Sequence, residues 1–275
     1  MVFFASREKT LKMIWKITKD EKVSFLVGTA HFFPYSLKTS LRRLFEKIDI
    51  VLFEGPLDES NMDTVRQDAA EKGVLPSLYD ELSSEVIAFL NEELGASLLN
   101  SSMPFLDLFH KKTEDILKKE IDGLKAWMAF FKIWSYFLNK RGWSYSVDLE
   151  AHDIAKRMGK EISYLETIEE QIAALNGIPL ERIIAFFNCA KRWEYFAKRH
   201  AKYYLKGDYE SMIRETACFP TRCESIIEKR DPKLFKRMMP YVERGSTGVF
   251  VGTTHIGGIV RMLEEKGYNV SQCLI

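Results

Sequence analysis

The sequence predicts an α/β fold: a mostly parallel or mixed central sheet, flanking helices and a large helical insertion. Two observations carry this expectation. Short apolar runs close on the same kind of turn near both ends of the chain, 23–27 leading into Gly28-Thr29-Ala30-His31 and 249–251 into Gly252-Thr253-Thr254-His255. After the first turn, Leu37, Leu41, Leu44, Phe45 and Ile48 recur at helical steps before a fully apolar run, 50–53. Strand, helix and strand make a βαβ unit, whose strands are parallel and joined by a right-handed crossover.

The elements follow in order. Residues 11–18 read as a strand, and the polar turn Lys19-Asp20-Glu21-Lys22 makes a hairpin with 23–27. The apolar strand 50–53 ends at Glu54-Gly55-Pro56. From about 75 to 214 the pattern is mainly helical, with helices expected over 79–94, 113–138, 149–158 and 182–205. Pro104, residues 139–146, and Gly177 with Pro179 mark breaks, and a short strand is expected over 161–165. Thr167 and Glu170 form a capping-box pattern, which assigns Glu166 and Gln171 to a helix entry. At the end, 249–251 is a strand, 259–266 a helix stopped by Gly267, and 268–274 a last strand. No Ser/Gly-rich linker divides the chain, so residues 1–275 are expected to form a single domain, and the repeated turn allows two pseudo-symmetric halves.

Composition narrows the function. A 46% hydrophobic and 29% charged chain belongs with globular proteins, and a net charge of +1 supplies no global field toward nucleic acid or a membrane surface. No apolar run is long enough for a membrane span, and the N-terminal Val2-Phe3-Phe4 patch is too short for a signal peptide, so a cytoplasmic location is expected. Cys189, Cys218, Cys223 and Cys273 form no CxxC pair and read as plain thiols. The basic stretch 191–202, interleaved with Trp193, Tyr195 and Phe196, reads as a solvated helix face. The aromatic run with Trp127, Phe130, Phe131, Trp134, Tyr136 and Phe137 reads as core, with a cleft wall or a homodimer interface as alternatives.

A glycine followed by two small residues and a histidine presents an imidazole at a strand end while letting a ligand approach the backbone. Parallel strands end at one sheet edge, where ligands of open α/β sheets bind, so His31 and Glu54 are expected there together. With His255 they make a candidate site of two imidazoles and a carboxylate, a donor set that suits a divalent metal. Glu54 is a candidate ligand or general base, and Thr29 and Thr253 are candidates to orient the histidines. The helices after each histidine are expected to aim N-terminal amides at the same edge. His110, His152 and His200 lie in helical segments, and Asp148 reads as a helix cap, with a reach into the site as the alternative.

The chain resembles the TraB/GumN family, which includes the TIKI proteins. The likeness rests on residues 13–17 and 25–31 with the first G-x-x-H, the strand 51–54 ending in Glu, segments 148–171 and 207–210, and the second G-x-x-H within 251–258 followed by Gly267-Tyr268. The family carries an Arg-Asn pair before the second histidine. Here Arg230-Asp231 is the best match, with Asp in place of Asn, and Arg222-Cys223 is the second candidate. The resemblance implies a metal-dependent hydrolase scaffold with His31, His255 and Glu54 at the metal and Arg230 on the substrate or transition state. TIKI members are metalloproteases that favour manganese or cobalt; zinc or iron also suits the ligands. The expected partner is a peptide or small-molecule substrate. A non-catalytic protein that sequesters a peptide or signal molecule, and an esterase or phosphoesterase, stand as alternatives.

Overall fold

The computed structural model describes residues 8–57, 63–65, 67–68, 78–98 and 115–275. Six strands form one sheet: β1 (Ile14–Lys19), β2 (Lys22–Thr29), β3 (Ile50–Phe53), β4 (Glu161–Tyr164), β5 (Thr247–Gly252) and β6 (Asn269–Gln272), in the order β4-β3-β5-β2-β1-β6. β4, β3, β5 and β2 run parallel, while β1 pairs antiparallel with both β2 and β6, so the sheet is mixed. The hairpin turns on Asp20 and Glu21, both at positive φ.

The two repeated segments are immediate neighbours. β2 and β5 pair in parallel, with Thr29 opposite Gly252. β3 lies on the other side of β5, so the strands of the expected βαβ unit are parallel but separated by the last long strand of the chain. The strand interiors are buried on both faces, as expected where helices cover a parallel sheet. The likeness of the two segments ends at the turn. His31 leads into a loop before α1 (Lys38–Phe45), whereas His255 leads directly into α11 (Ile256–Glu265).

Between β3 and β5 stand α2 (Ser84–Leu98), α3 (Ile116–Ile121), α4 (Ala126–Lys140), α5 (Val147–Arg157), α6 (Ile168–Asn176), α7 (Leu180–Asn188), α8 (Trp193–Lys206), α9 (Tyr209–Glu215) and α10 (Asp231–Val242). The capping box of Thr167 and Glu170 starts α6. Pro104, His110 and residues 113–114 lie outside the described residues. The helix expected over 113–138 is divided by a turn in which Gly123 takes φ 74°. That expected over 182–205 breaks at Cys189. The break buries Trp193, which stacks on Phe186 at 5.1 Å and donates its indole N–H to the Phe186 carbonyl at 2.9 Å.

In α4, Trp127, Phe130, Trp134 and Phe137 are buried, so that run is core. The basic stretch is a solvated face: Lys191, Lys198 and Lys202 are exposed, and Lys191, Lys198 and Arg199 pair with Glu85, Glu194 and Glu215. The four cysteines are free thiols. Among the described residues no helix is long and apolar enough to cross a membrane.

Candidate functional site

The carboxyl ends of four adjacent parallel strands deliver the site. In sheet order, Glu166 follows β4, Glu54 follows β3, His255 follows β5 and His31 follows β2. Such an edge is where open α/β sheets place their ligands. Arg230, immediately before α10, reaches into the group from outside the sheet.

Arg230 is the hub. Its Nε lies 3.0 Å from both Glu166 oxygens, and its Nη2 lies 2.6 Å from Glu166 Oε2 and 3.0 Å from Glu54 Oε2. Arg230 and Glu166 are both buried. Burial weakens a guanidinium's hold on its proton, but Glu54 and Glu166 outweigh it and raise the Arg230 pKa. Glu54 meets the same contest. Burial opposes its charge, yet the cationic and donor groups around it, Arg230, His31 and the Gly252 amide among them, hold its pKa down to about 2. The Gly252 amide donates to Glu54 Oε1, and a Cβ on Gly252 would stand 3.2 Å from that oxygen, so the close approach depends on glycine.

Each histidine is held through Nδ1 by an aspartate. His255, 1% accessible, has Nδ1 2.6 Å from Asp231 Oδ1. Its Nε2 faces Arg230 Nη1 at 3.3 Å and Glu54 Oε1 at 3.6 Å. A guanidinium only donates, so the Arg230 contact is a hydrogen bond when Nε2 is unprotonated, which assigns the His255 proton to Nδ1, facing Asp231. His31 Nδ1 lies 2.9 Å from Asp148 Oδ2, with side-chain accessibilities of 62% and 10%. The charge of Asp148 and its contact with Nδ1 raise the His31 pKa to about 9. The imidazole stands at the mouth of a cleft, so solvent screens the pair in part.

The structure brings His31, Glu54, His255 and Arg230, all expected from the sequence, to one cavity, together with partners that the sequence left as helix-start residues. Asp148 is not a cap: Ser146 caps α5 by accepting from the Leu149 amide. Glu166 does precede the Thr167 cap at the entry of α6, but its side chain is the main partner of Arg230. The strand-end rule that picked Glu54 would have picked Glu166 as well, just past β4. Asp231 was legible only as a departure from an Arg-Asn pattern. Thr29 and Thr253 make no hydrogen bond to the histidines among the described residues; the Thr253 methyl group instead lies where a Cβ on Gly28 would reach it. At each helix start one amide is taken by the protein, Leu37 N–H by Glu150 and Gly257 N–H by the Tyr209 hydroxyl. His152 faces Tyr164 at 3.1 Å and packs on Phe53, away from this group.

The four residues border a cavity of about 220 Å³. Its far wall is aromatic, with Phe130, Phe131 and Trp134 of α4 and Phe219, and His200 and Arg222 also open onto it. The aromatic helix is therefore both core and cleft wall.

The donor types suit a divalent cation, because both Nδ1 atoms are engaged by carboxylates and each Nε2 is turned elsewhere. Their arrangement does not. Among the described residues no three His, Cys, Asp or Glu side chains converge on a point that could hold an ion. Arg230, itself a cation, contacts both Glu54 and His255 Nε2.

An α/β sheet with its polar cluster at the carboxyl edge, fed by two strand-Gly-x-x-His segments, is the class of protein that these observations define. The chain belongs to the TraB/PrgY/gumN family, whose model matches residues 13–272, nearly the whole length. Comparison with curated proteins finds no match to the chain.

Proposed function

We propose that this chain is a hydrolase that adds water to a carbonyl at the sheet edge, with a peptide or amide bond as the preferred substrate. The observation that carries the reading is the convergence of Glu54, His255 and His31 from three adjacent strands on one cavity, around Arg230, which Glu166 from the fourth strand holds in place. His255, oriented by Asp231, can act as a general base: its Nε2 lone pair, which accepts from Arg230 Nη1 in the resting site, takes a proton from water when that N–H turns to the oxyanion. His31, which the Asp148 charge keeps protonated near neutral pH, is placed to hand a proton to the leaving group. Arg230 can turn a guanidinium N–H on the developing oxyanion, and ionised Glu54 fixes the orientation of Arg230. The aromatic wall suits an apolar side chain beside the scissile bond.

A second reading adds a divalent cation, with manganese or cobalt as the first choices. It is favoured by the aspartate on each Nδ1, an outer-shell arrangement usual for metal-bound histidine. It requires Arg230 to leave Glu54 and His255.

A panel of peptide, ester and phosphoester substrates tests both readings, run on chelator-treated protein with and without added Mn²⁺, for wild type and Glu54→Gln. Chelator-resistant peptide or amide cleavage that falls in Glu54→Gln supports the first reading. Turnover only with Mn²⁺ supports the second. Tight capture of a panel member without turnover under either condition would replace both with a binding protein.

A further inference from the structure

Arg222 is a half-buried cation that the proposed chemistry does not use. It opens onto the same cavity as His31, Glu54 and His255. Unlike Arg230, it has no carboxylate within salt-bridge distance among the described residues, and its hydrogen bonds there go to two threonine hydroxyls. Nη1 donates to Thr254 Oγ1 at 2.7 Å, and Nη2 donates to Thr216 Oγ1 at 3.0 Å. Thr216 is buried and gives its own proton to the Met212 carbonyl at 2.8 Å, which leaves its oxygen to accept from Arg222. The guanidinium is thus fixed in place by neutral groups, with two of its five N–H donors spent. A neutral anchor holds direction without cancelling charge. Burial lowers the Arg222 pKa to about 10, which still leaves it charged at neutral pH. The neighbouring His200 has a pKa lowered to about 4 by burial and by Arg222, so it stands neutral on the same wall.

A desolvated charge without a counter-charge is costly, and an anionic ligand that supplies one gains from it. A planar guanidinium matches a carboxylate in geometry. The remaining wall is aromatic, from Phe130, Phe131, Trp134 and Phe219. We infer that Arg222 is a substrate-recognition residue that binds a carboxylate on a ligand whose apolar body lies against this aromatic wall. Thr254, which holds Arg222, is the residue before His255, so the carboxylate subsite adjoins the proposed reaction centre. The inference rests on the reading of this cavity as a ligand site and adds the class of ligand: a small acid or a short peptide with a hydrophobic residue and a nearby carboxylate.

Binding without turnover tests it, by calorimetric titration of 4-phenylbutyrate and of the neutral isostere 4-phenylbutanamide into wild type, Arg222→Gln and Arg222→Lys. The expected result is a preference of about tenfold or more for the carboxylate in wild type, as for a charge-assisted hydrogen bond. Arg222→Gln should lose the preference while keeping affinity for the amide, and Arg222→Lys should recover part of it. Equal binding of both probes by wild type, or a preference that survives in Arg222→Gln, overturns the carboxylate subsite and leaves the hydrolase reading standing. Binding of neither probe by wild type overturns the subsite together with the reading of the cavity as a ligand site. If Arg222→Gln fails to fold, the wild-type preference and the Arg222→Lys comparison still decide.

Discussion

Asp231 Oδ1 lies 2.6 Å from His255 Nδ1, and the two residues come from different elements, the first residue of α10 and the turn after β5. The contact fixes the ring and directs Nε2 toward Arg230 and Glu54. An outer partner of this kind is commonly worth about 10–100-fold in activity. Asp231→Ala is therefore expected to lower turnover by about that factor. Asp231→Asn should lose less, because its amide oxygen can still accept from Nδ1. Turnover of both variants on a substrate that wild type cleaves checks the order.

Gly258 makes room for that contact. A Cβ there would collide with the Asp231 carboxylate, so one must move. Gly258→Ala is expected to cost about 1–3 kcal/mol in stability, as overpacking does. It should also lower activity in the same way as Asp231→Ala. Urea denaturation and turnover measured together check this; an unchanged midpoint and unchanged rate would show that the site relaxes without loss.

Arg230 neutralises two carboxylates from neighbouring strands, Glu54 and Glu166. Removing one partner of a buried ion cluster strands the others. Arg230→Met is expected to destabilise the protein by about 3–5 kcal/mol at neutral pH. Part of that loss should return under mildly acidic conditions, where the stranded carboxylates take up protons. Equilibrium unfolding at pH 7 and pH 5 measures it. Arg230→Lys should restore the charge but not the forked contacts, and so recover only part of the stability.

The His31–Asp148 pair carries a pH signature. The folded pKa of His31 is raised from 6.5 to about 9, so the folded state holds the proton more tightly than the unfolded chain. The stability this gives is complete below about pH 6.5 and is lost as pH rises toward 9. Asp148→Asn should return the His31 pKa toward its ordinary value and flatten that part of the stability profile. NMR titration of the His31 ring protons in both proteins checks the shift.

Much of the site was legible because strand ends are legible. Apolar runs that stop at Gly-Thr or at Glu-Gly identify the sheet edge, and parallel pairing brings His31, Glu54 and His255 to it. The sheet order was not legible, since nothing local in residues 247–252 says that this strand inserts between β2 and β3. The partners were harder still. Asp148, Glu166 and Asp231 each sit where a helix begins, and acidic residues at helix starts are common for reasons of capping and dipole alone. Only the folded arrangement separates Asp148, which faces His31, from Ser146, which caps α5. The break at Cys189 was hidden for a similar reason: the period of the segment is helical, but burial of Trp193 against Phe186 prevails over helix continuity.

The central claim is that the polar cluster at the carboxyl edge of the sheet is a working hydrolytic site. Its most direct test is single-turnover cleavage of a peptide substrate by wild type, His31→Ala and His255→Ala, each shown to be folded by circular dichroism. The account predicts that wild type cleaves, and that each variant is slowed by about 100-fold or more, the scale of a lost general acid or base. Wild-type rates retained in both folded variants would contradict it.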